Sequence, residues 1–448
     1  MLDLSRYKQS LNGKPLAVFG LGLSGMATIK ALTQNGIETI TWDDNADKRE
    51  EAERLGARCT NLTPETLSSC AALILSPGVP LTHPAPHAVV KAANTAKIEI
   101  YGDLEILHRS GHSHKTIGIT GTNGKSTTTA LLTHTLNACG HDAIMGGNIG
   151  VPALALNPQS KDTLLILEIS SYQIDLCPTF RPDIAILLNI TPDHIDRHGT
   201  FENYRRIKHR LLEGAGQGIK AETLALSPED FPTLKGEHNK QNIAAVLEVC
   251  KALNIPREEA IAAINTFPGL AHRQFLVREI GGVKYINDSK ATNAEATAKA
   301  LSSYENIHWI LGGQAKDGGL KGLEPYMPRI IQAYLIGESA KDFAGYLKIQ
   351  NVPYQIFEDL EGAVQEAHQD AQKSVYRLPS TDNCHPSPTI LLSPACASWD
   401  QFKSFEHRGE VFEEIVNTLT MSPCGLTAGS NDEQTDPAIK SQDDEGEV

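Results

Sequence analysis

Apolar runs of strand length alternate with helical periodicity along most of the chain, the pattern of stacked α/β units. Pro15–Phe19 reads as a strand, Ser24–Asn35 as a helix, and Glu38–Trp42 and Ala71–Leu75 as further strands. The polar stretch His108–His114 reads as a linker. A second series begins with a strand at Thr116–Thr120 and a helix at Ser126–Asn137. Leu164–Glu168 and Ile184–Asn189 are strongly apolar, as buried parallel strands are. A helix is predicted over Asn242–Ala252, and near Pro268-Gly269 the pattern restarts. Strands are then predicted at Lys284–Asn287, His308–Leu311, Ala333–Ile336 and Thr389–Leu392.

This pattern predicts three α/β domains, at 1–108, 109–271 and 272–420. Length agrees, since 448 residues exceed one ordinary core. Composition changes the picture at the C-terminus. Residues 421–448 hold seven acidic side chains against Lys440 and no aromatic, so they are expected to be a disordered acidic tail. The net charge of -14 argues against a nucleic-acid partner. Eight scattered cysteines without CxxC or metal-type spacing point to reduced thiols in a cytoplasmic protein. There is no signal-peptide pattern and no run approaching the ~20 apolar residues of a membrane span.

Two glycine-rich turns carry the first chemistry. Gly20-Leu21-Gly22-Leu23-Ser24-Gly25 lies between a strand and a helix, with Asp43 and Asp44 ending the next strand. Such a turn lets backbone and a helix N-terminus approach a diphosphate, as in dinucleotide oxidoreductases, and another nucleotide would be held by the same physics. The stronger signal is Gly121-Thr122-Asn123-Gly124-Lys125-Ser126-Thr127. Its amides can surround phosphate oxygens, Lys125 can neutralise β/γ charge, and the Ser126 hydroxyl can hold Mg²⁺. It departs from the usual phosphate loop in having Ile119 at the first glycine slot. Such a loop occurs in hydrolases, kinases, switches and ligases, so it does not define the reaction.

Further polar clusters follow strand ends, where α/β folds bind ligands. Glu168 is a candidate Mg²⁺ ligand or an ion-paired structural residue. Asp193 and His194 could hold a metal or position a reacting group. Lys208, among Arg205, Arg206, His209 and Arg210, reads on spacing as part of a solvated basic helix face. Asn239, Asn242, His272-Arg273, Asn287–Asn293, Gly312–Lys316 and Ser393–Ser398 complete the set.

Together these residues resemble the Mur ligase family of peptidoglycan synthesis over about residues 1–420. The carriers are Gly121–Thr127, Gly147–Gly150, Asp193–Arg197, Asn287–Asn293 and Ser393–Gly409. The last segment is most like the D-glutamate-adding branch. The resemblance implies a Rossmann-like N-terminal UDP-binding domain, a central P-loop ATPase-like domain with a parallel sheet and a Rossmann-like C-terminal domain. It implies that ATP phosphorylates the carboxylate of UDP-N-acetylmuramoyl-L-alanine, and that D-glutamate attacks the acyl phosphate. Lys125 would bind ATP phosphates, Ser126 and Glu168 one Mg²⁺, and His194 and Lys208 a second, with Lys208 carbamylated. That reverses the spacing-based reading of Lys208. Asn239, Asn242, Arg273 and Asp288 would hold the nucleotide. Thr292, Lys316, Ser398 and Phe405 would receive D-glutamate. Leu23, Ser24, Asp43 and Asn45 would contact the uridine nucleotide, and Asn148 the sugar-peptide part. A monomer acting in the cytoplasm is expected.

One departure stands out. Only about 30 residues separate Lys208 from Asn239, roughly half the family's usual interval. Leu211–Lys235 reads as a shortened connector lacking edge strands of the central sheet. Among other classes, an NAD-dependent oxidoreductase leaves Gly121–Ser126 unexplained, and a switch-type NTPase leaves the third domain unexplained. Another Mur ligase and folylpolyglutamate synthase are the rivals within the ligase class.

Overall fold

The computed structural model describes residues 2–226, 231, 234, 237–316, 318–377 and 387–420. The expected acidic tail lies outside the described residues. The chain divides into two compact units, Met1–Phe275 and Leu276–Val448.

The first unit contains two sheets. One comprises β1 (Leu16–Phe19), β2 (Thr39–Trp42), β3 (Arg58–Cys59), β4 (Ala72–Leu75) and β5 (Glu99–Tyr101), in the order β3-β2-β1-β4-β5. All its pairings are parallel. This is the doubly wound order, whose crevice opens where the order reverses, between β1 and β4. The turn after β1 carries Gly20–Gly25 and the turn after β4 carries Ser76, whose hydroxyl donates to the Gly20 carbonyl.

The other sheet comprises β6 (Thr116–Thr120), β7 (Ala143–Gly147), β8 (Leu164–Glu168), β9 (Ile184–Leu187) and β10 (Gln217–Lys220), in the order β10-β9-β6-β8-β7. It too is wholly parallel. The phosphate loop leaves the central strand, with Glu168 and Asn189 at the ends of its two neighbours. The connector after Lys208 differs from the expectation. The helix Phe201–Gly214 runs on past Leu211, and β10 then pairs with β9 as an edge strand. Gln217-Gly218-Ile219-Lys220 has one buried side chain, so no apolar run marked it.

Ile117, Ile119, Ile166 and Ile186 are buried in the central sheet, each contributing about 1.5–3 kcal/mol. Leu16, Val18 and Leu32 belong to the same buried cluster as Leu165, Leu167 and Ile207. The segments on either side of residue 108 are therefore packed on one another. His108 and Arg109 belong to the helix Asp103–Arg109 instead of a linker.

The second unit holds β11 (Phe275–Ile280), β12 (Val283–Asn287), β13 (Ile307–Gly312), a two-residue β14 (Gln314–Ala315), β15 (Ile330–Ile336), β16 (Tyr354–Ile356), β17 (Thr389–Leu392) and β18 (Cys396–Ala397). The main sheet runs β11-β12-β17-β13-β15-β16, and β14 pairs antiparallel with β18. Strands β12, β17 and β13 are parallel neighbours. Their C-terminal ends therefore bring Asp288–Asn293, Ser393–Ser398 and Gly312–Lys316 side by side. Among the described residues, no helix is long and apolar enough to cross a membrane.

Candidate active site

The phosphate loop is shaped by its backbone. Gly124 has φ of +84° and caps the helix Lys125–Ala138; a Cβ there would lie 2.6 Å from Asn242 Oδ1. Only glycine fits, and the first helical N–H groups are left for an anion. Lys125 folds back, its Nζ donating to the carbonyls of Gly121 at 2.9 Å and Thr122 at 3.0 Å. Burial lowers its pKa from the usual lysine value. Ser126 and Thr127 are buried under the loop. Asn242 is buried and donates to Asn239 Oδ1 at 3.2 Å. Arg273 is half-buried, and its charge acts on Lys125.

Sequence reasoning missed what clamps the loop. Asn189 Oδ1 accepts from Asn123 N at 2.8 Å, and Asn189 Nδ2 returns a bond to the Asn123 carbonyl at 3.1 Å. The Thr122 hydroxyl meets the Tyr204 hydroxyl at 2.9 Å and accepts from Thr191 N at 3.0 Å. In the sequence Asn189 is only the last residue of the apolar run Ile184–Asn189, and nothing in the pattern sets Tyr204 apart.

Glu168 is buried at the end of β8. Its Oε1 accepts from Asn148 Nδ2 at 2.9 Å, whereas Oε2 is buried without a hydrogen-bond partner. A buried carboxylate oxygen left bare is costly, by about 1–3 kcal/mol, unless something cationic meets it. That bare oxygen, beside the Ser126 hydroxyl's helix, fits an oxygen-seeking divalent cation. Among the described residues, no group of three or more His, Cys, Asp and Glu could hold a metal by itself. A cation here would have to complete its shell from hydroxyl, water and phosphate oxygens.

Lys208 overturns the reading of a solvated basic face, for it is 1% exposed. Its Nζ donates to Gly121 O at 2.9 Å and Thr120 Oγ1 at 3.3 Å, and lies 4.9 Å from the Tyr204 ring centre. Burial, reinforced by the Lys125 charge, pushes its pKa down to about 7. His194, in the left-handed region at φ 53°, is exposed; its Nδ1 meets the Tyr172 hydroxyl at 2.8 Å, and its Nε2 lies 3.3 Å from Asp193 Oδ2. The Tyr204 ring stands beside both residues, 6.4 Å from the His194 ring. Arg197 is buried, donating to the carbonyls of Pro77, Val79 and His83.

In the first sheet, Asp43 orders the glycine turn. Its Oδ2 accepts from Leu21 N at 2.6 Å and its Oδ1 from Asn45 N at 2.8 Å. Asn45 caps the helix Ala46–Arg54 by accepting from Asp47 N. Ser24 donates to Asp103 Oδ2 at 2.9 Å. Burial raises the pKa of Asp103, a residue the sequence did not single out. Leu23 projects from the turn with 84% exposure.

In the second unit, Asp288 is buried and accepts from Ser393 Oγ at 2.7 Å. Thr292 is half-buried, Lys316 exposed and Ser398 buried. Phe405 is half-buried, with Lys290 Nζ 5.5 Å over its ring.

Three family models match the chain: the Mur ligase MurD-like N-terminal domain at residues 14–102, the Mur ligase middle domain at 119–250 and the Mur ligase glutamate ligase domain at 272–377. The UDP-N-acetylmuramoylalanine–D-glutamate ligase of Rhizobium meliloti (strain 1021) is 43% identical over 461 residues, covering 92% of this chain and 97% of its own. The ligase of the same name from Brucella suis biovar 1 (strain 1330) is 43% identical over 462 residues, with 92% and 97% covered. Among solved structures, UDP-N-acetylmuramate-alanine ligase from Thermotoga maritima superposes with a TM-score of 0.55 at 16% identity, covering 90% of this chain and 99% of that one. MurF ligase from the same organism, in complex with ADP, gives 0.50 at 16% identity, with 93% and 99% covered. The structures speak for the fold alone. Sequence identity sustained over nearly the whole length of the relatives speaks for common descent, and this chain belongs to the Mur ligase family.

Proposed function

We propose that the protein is an ATP-dependent ligase that adds D-glutamate to UDP-N-acetylmuramoyl-L-alanine through an acyl phosphate, a cytoplasmic step of peptidoglycan synthesis. The chain's 43% identity to curated D-glutamate ligases, across 97% of the Rhizobium meliloti protein, carries this reading. A carboxylate is a poor electrophile, and transfer of the ATP γ-phosphoryl group to it creates a leaving group. The amine of D-glutamate then attacks, and phosphate departs from the tetrahedral intermediate.

The chain's own groups fit these needs. The amides of Gly121–Thr127 and the Lys125 ammonium bind the ATP phosphates and offset charge on the transferring group. Asn239, Asn242 and Arg273 hold the nucleotide. Ser126 and Glu168 hold one Mg²⁺, and His194 and Lys208 a second. When bound, these ions polarise phosphoryl and carboxyl oxygens. A lysine whose pKa is about 7 is substantially neutral at physiological pH. Its amine can add to CO₂, losing a proton, to form a carbamate that supplies oxygen ligands. Leu23, Ser24, Asp43 and Asn45 bind the uridine nucleotide and Asn148 the sugar-peptide part. Thr292, Lys316, Ser398 and Phe405 receive D-glutamate. The domains are bounded at 1–108, 109–271 and 272–420, and the enzyme acts as a monomer.

Phosphate release by the purified protein tests the reading. Release from ATP is expected only when UDP-N-acetylmuramoyl-L-alanine and D-glutamate are both present. Equal or greater turnover with L-glutamate, L-alanine or diaminopimelate contradicts it.

A further inference from the structure

Arg408 stands out among the buried charges of the second unit. Its residue is 0% exposed, on the helix Phe405–Thr418. Nε donates to Ser289 Oγ at 3.0 Å, and Nη2 donates to the carbonyls of Ser289 at 2.9 Å and Cys396 at 3.1 Å. Nη1 is buried without a hydrogen-bond partner. All the acceptors are neutral, and among the described residues no carboxylate pairs with the guanidinium. Asp400 is the acidic group that acts on it through space, and its Oδ2 is engaged by Glu338 N at 3.0 Å.

A buried cation is ordinarily paired, because desolvation without compensation costs free energy. The surroundings indicate what compensates this one. Ser289 opens the segment that reaches Thr292. Cys396 lies two residues before Ser398. Gly313 opens the run to Lys316; a Cβ there would lie 3.3 Å from Arg408 Nη1 and 2.4 Å from the Ala397 carbonyl, so that strand end approaches the guanidinium as only glycine can. Arg408 itself is one turn beyond Phe405, whose carbonyl accepts from Ser289 Oγ at 2.8 Å. The four residues assigned above to D-glutamate thus hang on segments gathered around one guanidinium.

We propose that Arg408 is a positioning residue for the amino-acid substrate: its fork fixes the segments bearing Thr292, Lys316, Ser398 and Phe405. This rests on the D-glutamate reading of the site. Arg408 does not touch the reacting atoms. It acts through the segments it ties.

Steady-state kinetics of the full-length enzyme, with each substrate varied in turn, test this. In Arg408→Lys, which keeps the charge but not the fork, KM for D-glutamate is expected to rise about tenfold, with kcat and the other two KM values within about twofold. Ser289→Ala, which removes the Nε acceptor together with the Ser289 bond to the Phe405 carbonyl, is expected to raise the same KM about threefold. Should Arg408→Lys fail to fold, Ser289→Ala decides on the same criterion. An unchanged KM for D-glutamate, or a parallel rise of all three KM values, overturns the inference and leaves the functional reading intact. A wild-type enzyme without D-glutamate-dependent turnover overturns both.

Discussion

Lys125 and Lys208 donate to the same carbonyl oxygen, that of Gly121, each at 2.9 Å. Two ammonium groups on one acceptor repel, and burial leaves little water to screen them. Burial itself is the larger cause and the Lys125 charge adds to it, so Lys208 sits near pKa 7 while an unfolded lysine titrates near 10.4. Between those values the unfolded chain binds the extra proton, so stability rises with pH over this window and the contribution is lost as pH falls through about 7. In buffer freed of CO₂, the urea midpoint of the wild type should increase from pH 7 to pH 9 by more than that of Lys208→Met. Equal increases would show that Lys208 does not carry this dependence.

The carbamate reading makes a separate demand on the same side chain. Lys208→Ala should lose at least about 10²-fold in kcat, the scale of removing one electrostatic stabiliser from a site. Short carboxylic acids should partly restore it, since they supply the missing oxygens. An unaffected variant would refute the role.

Glu168→Gln separates metal binding from folding. The amide can keep the hydrogen bond from Asn148 while removing the charge on a buried oxygen that has no partner. Thermal unfolding without Mg²⁺ should therefore occur no lower than in the wild type, because a bare buried carboxylate is unfavourable. Activity should fall by about 10²-fold and need more Mg²⁺ for half-maximal rate. A destabilised variant with normal Mg²⁺ dependence would make Glu168 structural.

Leu23 is 84% exposed on the turn after β1 and contributes little to the core. Leu23→Ser should leave the melting temperature within about 1 °C. If Leu23 covers the uridine nucleotide, KM for the UDP substrate should still rise about five- to tenfold, the loss of roughly 1 kcal/mol of apolar contact. No change in KM would remove it from the site.

The sequence made the sheet interiors plain and left their margins obscure. Thr116–Thr120, Leu164–Glu168 and Thr389–Leu392 form strands over the spans read from their apolar runs. The short edge strands Arg58–Cys59 and Gln217–Lys220 were not legible, because an edge strand buries few side chains. Lys208 was misjudged on spacing because its neighbours in sequence are basic. Its neighbours on the helix tell otherwise: Tyr204, Lys208 and Leu211 recur at helical spacing and all are buried. Arg408 has the same signature, sharing a buried stripe with Phe412 and Val416. A charge on an apolar stripe was the signal available for both. The bare Oε2 of Glu168 and the clamp of Asn189 on Asn123 depend on contacts between distant segments, which periodicity does not encode.

The most direct test of the central claim is to identify the product. Purified protein is incubated with ATP, Mg²⁺, UDP-N-acetylmuramoyl-L-alanine and an equal mixture of isotopically distinguished D- and L-glutamate, and the nucleotide product is weighed by mass spectrometry. One glutamate residue carrying the D-isomer's label is expected, with ADP and phosphate formed in equal amounts. Incorporation of the L-isomer, or ATP turnover without any glutamyl product, would contradict the account.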